Sequence, residues 1–327
     1  MGRRSIEELN GIQEAVITVD PFVRRMLSIS LGFTMLSVAL GLRPSDFRFV
    51  RTHPRVILIG SAAQLLALPL MTLALILLIE PSPGIALGML IISTCPGGNI
   101  SNLLTRIAHG DTAYSVSLTM VSSIFVGIFL PFSIVFWTGL YAPTAALLDE
   151  IEIDRVEFVI STTIILLGPL GLGLLAVHFM PKLAERLNRL FLPIAVGVVV
   201  LLVSIGIFTN LDLIANYVTS LFPLIIGYNA LAFLLGFTIG KIFLSQRRAR
   251  ALTFEVGIQN TGLGLVIVLA QFGGIGSAAV VVGSWSIWHM FAGLILANLY
   301  RLGDRFFFKD LALEETVPKE AIPEENS

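Results

Sequence analysis

Apolar residues run along this chain in long blocks separated by short polar stretches. A block of about 20 apolar residues is the length that crosses roughly 30 Å of hydrocarbon as a helix. Nine such blocks follow in order: 26–42, 56–79, 84–108, 112–138, 156–180, 190–210, 213–243, 250–272 and 276–300. The pattern predicts an all-α integral membrane protein with one transmembrane unit over 26–303. Residues 1–25 read as an extramembrane N-terminal segment, because the acidic Glu7, Glu8, Glu14 and Asp20 leave no compact apolar core for a signal peptide. Residues 304–327, rich in Glu and Pro, read as a disordered cytoplasmic tail.

Composition agrees with the pattern. Of the 327 residues 55% are hydrophobic and only 13% are charged, about half the charge of an ordinary soluble domain. A net charge of −1 gives no global basic field for nucleic acid. The single cysteine, Cys95, excludes an intrachain disulfide framework and a clustered-cysteine metal site. An odd number of spans puts the termini on opposite faces, and the basic residues choose between them. With the C-terminus inside, sixteen of the 21 Lys and Arg residues fall in inner loops, and the acidic Asp149, Glu150, Glu152 and Asp154 fall outside. A multi-pass protein of the plasma or inner membrane is expected, N-terminus out and C-terminus cytoplasmic.

Two blocks are interrupted. Cys95-Pro96-Gly97-Gly98-Asn99 places a missing amide donor and two flexible residues in mid-span. Such a break survives at membrane depth only where protein or a water-filled cavity satisfies the freed backbone groups. The eighth block carries Glu255-Val256-Gly257-Ile258-Gln259-Asn260-Thr261-Gly262, with one acid, two amides, a hydroxyl and two glycines in eight positions. One break enters from outside and the other from inside, five helices later, as expected of inverted repeats whose discontinuous helices cross at a substrate site. At such a crossing, helix N-termini favour an anion, while C-terminal carbonyls and side-chain oxygens favour cations.

Glu255 is the most informative residue, since a carboxylate at that depth costs roughly 2.5 to 3.5 kcal/mol even on lenient insertion scales. Three compensations compete: pairing with Arg250 or protonation in a helix interface, a proton relay, and coordination of a metal ion by oxygen. The many neutral oxygen ligands nearby favour the last. Cys95, preceding a proline with no activating base in view, reads as packing. Asn99, Asn260 and Thr261 begin the second halves of the broken helices and can either cap them or contact an anion. His289 reads as a buried neutral histidine, and Asn229 and Asn298 as helix-packing residues.

The sequence resembles the bile acid:sodium symporter family. The residues that carry the likeness are Gly41-Leu-Arg-Pro-Ser-Asp-Phe47, Cys95-Pro-Gly-Gly-Asn-Ile-Ser-Asn102, Arg106-Ile-Ala-His-Gly-Asp111 leading into Ser115 and Thr119, Glu255-Val-Gly-Ile-Gln-Asn260, and Trp288-His289. The likeness runs from about Leu36 to Tyr300. It implies an inverted-repeat secondary transporter with a core domain (including 56–138 and 213–272) and a panel domain (26–42, 156–210 and 276–300). The implied activity is sodium-driven symport of a small organic anion, either a bile-acid-like steroid or a small carboxylate, by alternating access and without enzymatic chemistry. The alternative on the same fold is a proton-coupled or uncoupled carrier of a small metabolite.

Carried over residue by residue, one sodium site would use Ser101, Asn102, Ser115, Thr119 and Glu255. A second would use Gln64, Glu255 and Gln259 with the carbonyls of Val256 and Ile258. Two sodium ions would offset the desolvation of the shared carboxylate. The implied anion contacts are Asn99, Ile100, Asn260, Thr261, His289 and Met290. Asn99 replaces a small hydroxyl residue common in the family, and Met290 replaces a polar amide. Ten-helix relatives have an additional first helix, so this chain reads as a nine-helix variant.

Overall fold

The computed structural model describes residues 21–42, 44–191, 193–194, 197 and 211–307. Most of the N-terminal segment, nearly all of the block at 190–210 and the tail beyond 307 lie outside the described residues. The described chain is helical. Among these residues, five helices are long and apolar enough to cross a bilayer, and Arg25–Leu40, Pro83–Thr94 and Thr261–Gln271 are shorter apolar helices.

In chain order the elements are α1 (Pro21–Leu40), α2 (Pro44–Thr52), α3 (Pro54–Ile79), α4 (Pro83–Thr94), α5 (Asn99–Ile107), α6 (Thr112–Gly139), α7 (Ala142–Glu150), α8 (Arg155–Phe179), a helical stretch over 181–191, α9 (Leu211–Phe243), α10 (Gln246–Gly257), α11 (Thr261–Gln271) and α12 (Gly276–Phe307). Both interrupted blocks are pairs of half-helices, α4/α5 and α10/α11. The short helices α2 and α7 lie in stretches that hydropathy leaves as connections. Side chains such as Leu77, Phe132, Ile164 and Leu175 stand exposed on the outer faces, where lipid replaces water as the apolar solvent.

Packing sorts the helices. The strongest pairing of α8 is with α1, and α10 packs along α9. The last helix, expected beside 26–42 and 156–210, packs chiefly on α4, α9 and α11. Its small residues explain this: Ala278 and Val281 sit so close to Gly88 of α4 that a methyl group there would lie 2.9 Å from each, and helices without a hydrophobic drive between them associate through such close approach.

Helix α3 is not uniform. Residues Ala63–Ala67 widen into a π turn, and the Leu68 N–H reaches back to the Ala63 carbonyl. Pro69 follows at once. Its ring lacks an N–H and would collide with the carbonyl four residues back, and an extra residue in the turn relieves both problems. Gln64 sits on this widened turn, buried inside the molecule.

Candidate functional site

The two breaks meet. Gly97 and Gln259 form an antiparallel β-bridge, and the Asn260 N–H donates to the Pro96 carbonyl at 2.8 Å. Each interruption thus supplies partners for backbone groups the other has freed, which is how two severed helices persist away from water. Asn260 also caps α11, its Oδ1 accepting from the Leu263 N–H at 3.2 Å. Gly98 precedes α5, and its carbonyl accepts from Ser101 Oγ at 2.6 Å.

Glu255, two residues from the end of α10, points into this crossing with no solvent exposure. Its Oε1 accepts from Ser101 Oγ and Ser115 Oγ, both at 2.6 Å, and from Thr119 Oγ1 at 3.0 Å. Its Oε2 accepts from Thr119 Oγ1 at 2.9 Å and Gln64 Nε2 at 3.2 Å. Asn102 Oδ1 lies 2.8 Å from Ser115 Oγ and 3.3 Å from Thr119 Oγ1, an alternative acceptor for the single proton each hydroxyl donates. Helices α3, α5, α6 and α10 therefore converge on one carboxylate through neutral groups. A hydroxyl both donates and accepts, so the ring that solvates the acid can turn its lone pairs toward a cation placed beside it.

A second oxygen set surrounds the end of α10. Gln64 Nε2 donates to the Glu255 carbonyl, Gln259 Nε2 to the Val256 carbonyl and Asn229 Nδ2 to the Gly257 carbonyl, at 2.8, 2.7 and 2.8 Å. Each amide spends its nitrogen on one of three consecutive carbonyls. The oxygens of all three, Gln64 Oε1, Gln259 Oε1 and Asn229 Oδ1, are buried with no hydrogen-bond partner. An unpartnered buried acceptor is costly, and a hard cation that takes oxygen ligands is the chemistry that would satisfy it. Asn229 escapes sequence reading because an isolated amide in a long apolar helix looks like any packing residue.

Arg250 does not pair with Glu255. Its guanidinium forms a fork with Asp304 of α12, at 2.7 and 2.5 Å, and donates to the Ala108 carbonyl at 2.8 Å. Five residues place Arg250 more than a turn below Glu255 on α10. His109 adds a 3.0 Å contact to Asp304, and Arg248 pairs with Asp111 at 3.0 Å. Arg248 and Arg250 are thus held toward the start of α10, remote from the crossing, with acidic partners of their own.

Beside the crossing lies a cavity of about 250 Å³, walled by Gly97, Gly98, Asn99, Asn102, Thr119 and Asn260 on one side and by residues of the α1 end and Asn188 on the other. Among the described residues no ionisable side chain lines it. Of the expected anion contacts, Asn99 and Asn260 line this cavity, whereas Ile100, Thr261, His289 and Met290 do not. Met290 is 44% exposed on α12 and His289 is buried, its Nδ1–H donating to the Trp285 carbonyl at 2.6 Å. Cys95 is buried in the apolar core and forms no disulfide.

Comparison with known proteins follows the same line. The profile of the Sodium Bile acid symporter family matches residues 28–217. The chain is 28% identical over 281 residues to the uncharacterized sodium-dependent transporter YocS of Bacillus subtilis, covering 85% of this chain and 84% of the relative. It is 28% identical to a chloroplastic "Probable sodium/metabolite cotransporter" of Arabidopsis thaliana, over 84% of this chain and 66% of that protein. It is 27% identical to the human ileal sodium/bile acid cotransporter, over 76% of this chain and 70% of the relative.

Proposed function

The chain belongs to the Sodium Bile acid symporter family, and from that premise we propose that it couples sodium to the import of a small organic anion by alternating access. The observation that supports this reading is Glu255: a fully buried carboxylate ringed by three hydroxyls and an amide, with the nearby arginines engaged elsewhere. One sodium ion would take Glu255 with Ser101, Asn102, Ser115 and Thr119. A second would take Glu255, Gln64 and Gln259 with carbonyls of Val256 and Ile258, and the orphaned amide oxygens fit that role.

The physical sequence is as follows. Sodium offsets the charge of the acid and ties α3, α5, α6 and α10 together, which holds the two half-helix starts beside the cavity. An anion then docks against those starts, where unpaired N–H groups and the positive ends of the helix dipoles favour negative charge. Because both solutes favour the same arrangement, each raises the affinity for the other. The packing supports a core of α3 to α6 and α9 to α12, with the last helix travelling in it, moving against α1 and α8 and the 181–191 stretch, which touches α1 through Asn188 and Phe191.

The test is Glu255→Ala in purified, reconstituted protein. Sodium raises the melting temperature of the unaltered protein, and the variant inserts but shows no sodium response. A full sodium response in Glu255→Ala would refute the assignment. Stabilisation by lowered pH in sodium-free buffer, equal to that by sodium, would favour the proton-coupled alternative.

A further inference from the structure

We propose that Asn188 is a specificity-determining residue of the anion cavity, donating from Nδ2 to a second oxygen on a short carboxylate. This deepens the transport reading and rests on it. Asn188 belongs to the helical stretch over 181–191, far in sequence from the crossing, yet it lines the same cavity as Asn99 and Asn260. Ser37, buried in the last turn of α1, donates its hydroxyl to Asn188 Oδ1 at 3.1 Å. That bond uses the acceptor end of the amide and fixes its plane. The donor end has no hydrogen-bond partner among the described residues, and both Asn188 and Gly41, over which it sits, line the cavity.

A second feature fits the same role. The amide nitrogen of Asn188 sits over Gly41, so close that a Cβ at that position would lie 3.2 Å from Nδ2. Gly41 opens a sequence motif that the sodium ring and the helix crossing do not use. Its lack of a side chain lets α1 and the 181–191 stretch bring the amide to this wall.

Size narrows the ligand. A water molecule's share of liquid volume is about 30 Å³, so a cavity of about 250 Å³ holds roughly eight non-hydrogen atoms. A steroid ring system, with about seventeen carbons, needs roughly twice that space. Among the described residues the lining offers amides, hydroxyls and helix starts but no charged side chain, so one carboxylate is met by the helix ends. A second, neutral oxygen within the same eight atoms falls to the free amide. The chemical class is a short monocarboxylate bearing a hydroxyl or carbonyl oxygen away from the acid.

The experiment measures thermal stabilisation of full-length purified protein, in sodium and in potassium, by butanoate, 4-hydroxybutanoate and cholate. The unaltered protein in sodium is expected to hold 4-hydroxybutanoate roughly tenfold more tightly than butanoate, the worth of one good hydrogen bond, and cholate least. Asn188→Leu loses that preference while keeping its affinity for butanoate and its stabilisation by sodium alone. Asn188→Asp, which sets a negative charge against the ligand, weakens both butanoates below the unaltered protein. Gly41→Ala, which pushes the amide aside, mimics Asn188→Leu. Retention of the preference in Asn188→Leu overturns the proposal, as does tighter binding of cholate or binding of neither butanoate. Loss of sodium stabilisation in Glu255→Ala reports separately on the underlying reading: where that loss is seen while these outcomes fail, only the role of Asn188 falls, and a sodium response retained in Glu255→Ala overturns the underlying reading itself.

Discussion

Two adjacent glycines make the sharpest test of the crossing. A Cβ added at Gly97 would stand 2.6 Å from Glu255 Oε2 and 3.0 Å from Gln64 Nε2, whereas at Gly98 the nearest atom is Asn260 Cα at 3.9 Å. Neither glycine has a positive φ, so backbone conformation does not separate them; space does. The first distance is roughly 1 Å short of ordinary contact. Both neighbours are fully buried and tied into the ring, so Gly97→Ala must displace the carboxylate. A shift of that size takes Oε2 out of hydrogen-bond range of Thr119 or Gln64. One hydrogen bond to a charged group is worth about 1.5–3 kcal/mol, which at 1.4 kcal/mol per decade is about a ten- to hundredfold loss of sodium affinity. The assay is melting temperature against sodium concentration, because a ligand that binds only the folded state stabilises it logarithmically. Gly97→Ala should move the half-saturating sodium concentration by one to two decades, and Gly98→Ala should leave it within a factor of two to three. Equal effects from the two variants, or an unshifted Gly97→Ala, would show that the carboxylate ring does not hold the ion.

Three further outcomes follow from the packing. Asp304→Ala strips the buried Arg250 guanidinium of its fork and should destabilise the protein by about 3 kcal/mol; in thermal melts the Arg250→Met/Asp304→Leu double variant should recover most of that loss, and a double variant no better than the single would discount the pair. Asn229→Leu removes the donor to the Gly257 carbonyl and should weaken sodium binding by about tenfold while the protein still inserts, read from the same sodium titration. Cys95, 1% exposed in the apolar core, should resist a water-soluble maleimide in the folded protein and label fully in denaturant; rapid labelling without denaturant would contradict the burial.

How much of this was written along the chain depends on the range of the interaction. Hydropathy is a local sum, so the membrane class, the spans at 56–79, 112–138 and 156–180, and the breaks at Pro96 and after Gly257 are all legible in the residues. The interrupted helices, with Glu255 beside one of them, announce a site because a proline and an acid in hydrocarbon need compensation wherever they occur. Which groups provide it is a matter of helices meeting. Sequence spacing sets Arg250 near Glu255, yet rotation along α10 sends it to Asp304, more than fifty residues away. Gln64 comes to the carboxylate because a π turn ahead of Pro69 re-aims it. The last helix joins α4, α9 and α11 through small residues whose partners no periodicity names. Asn188 and Asn229, unremarkable in their own segments, acquire meaning only from the wall and the carbonyl they reach across space. Local propensity and hydropathy therefore determined the elements and where they break, while close packing between distant helices, acting atom by atom, decided what the broken ends hold.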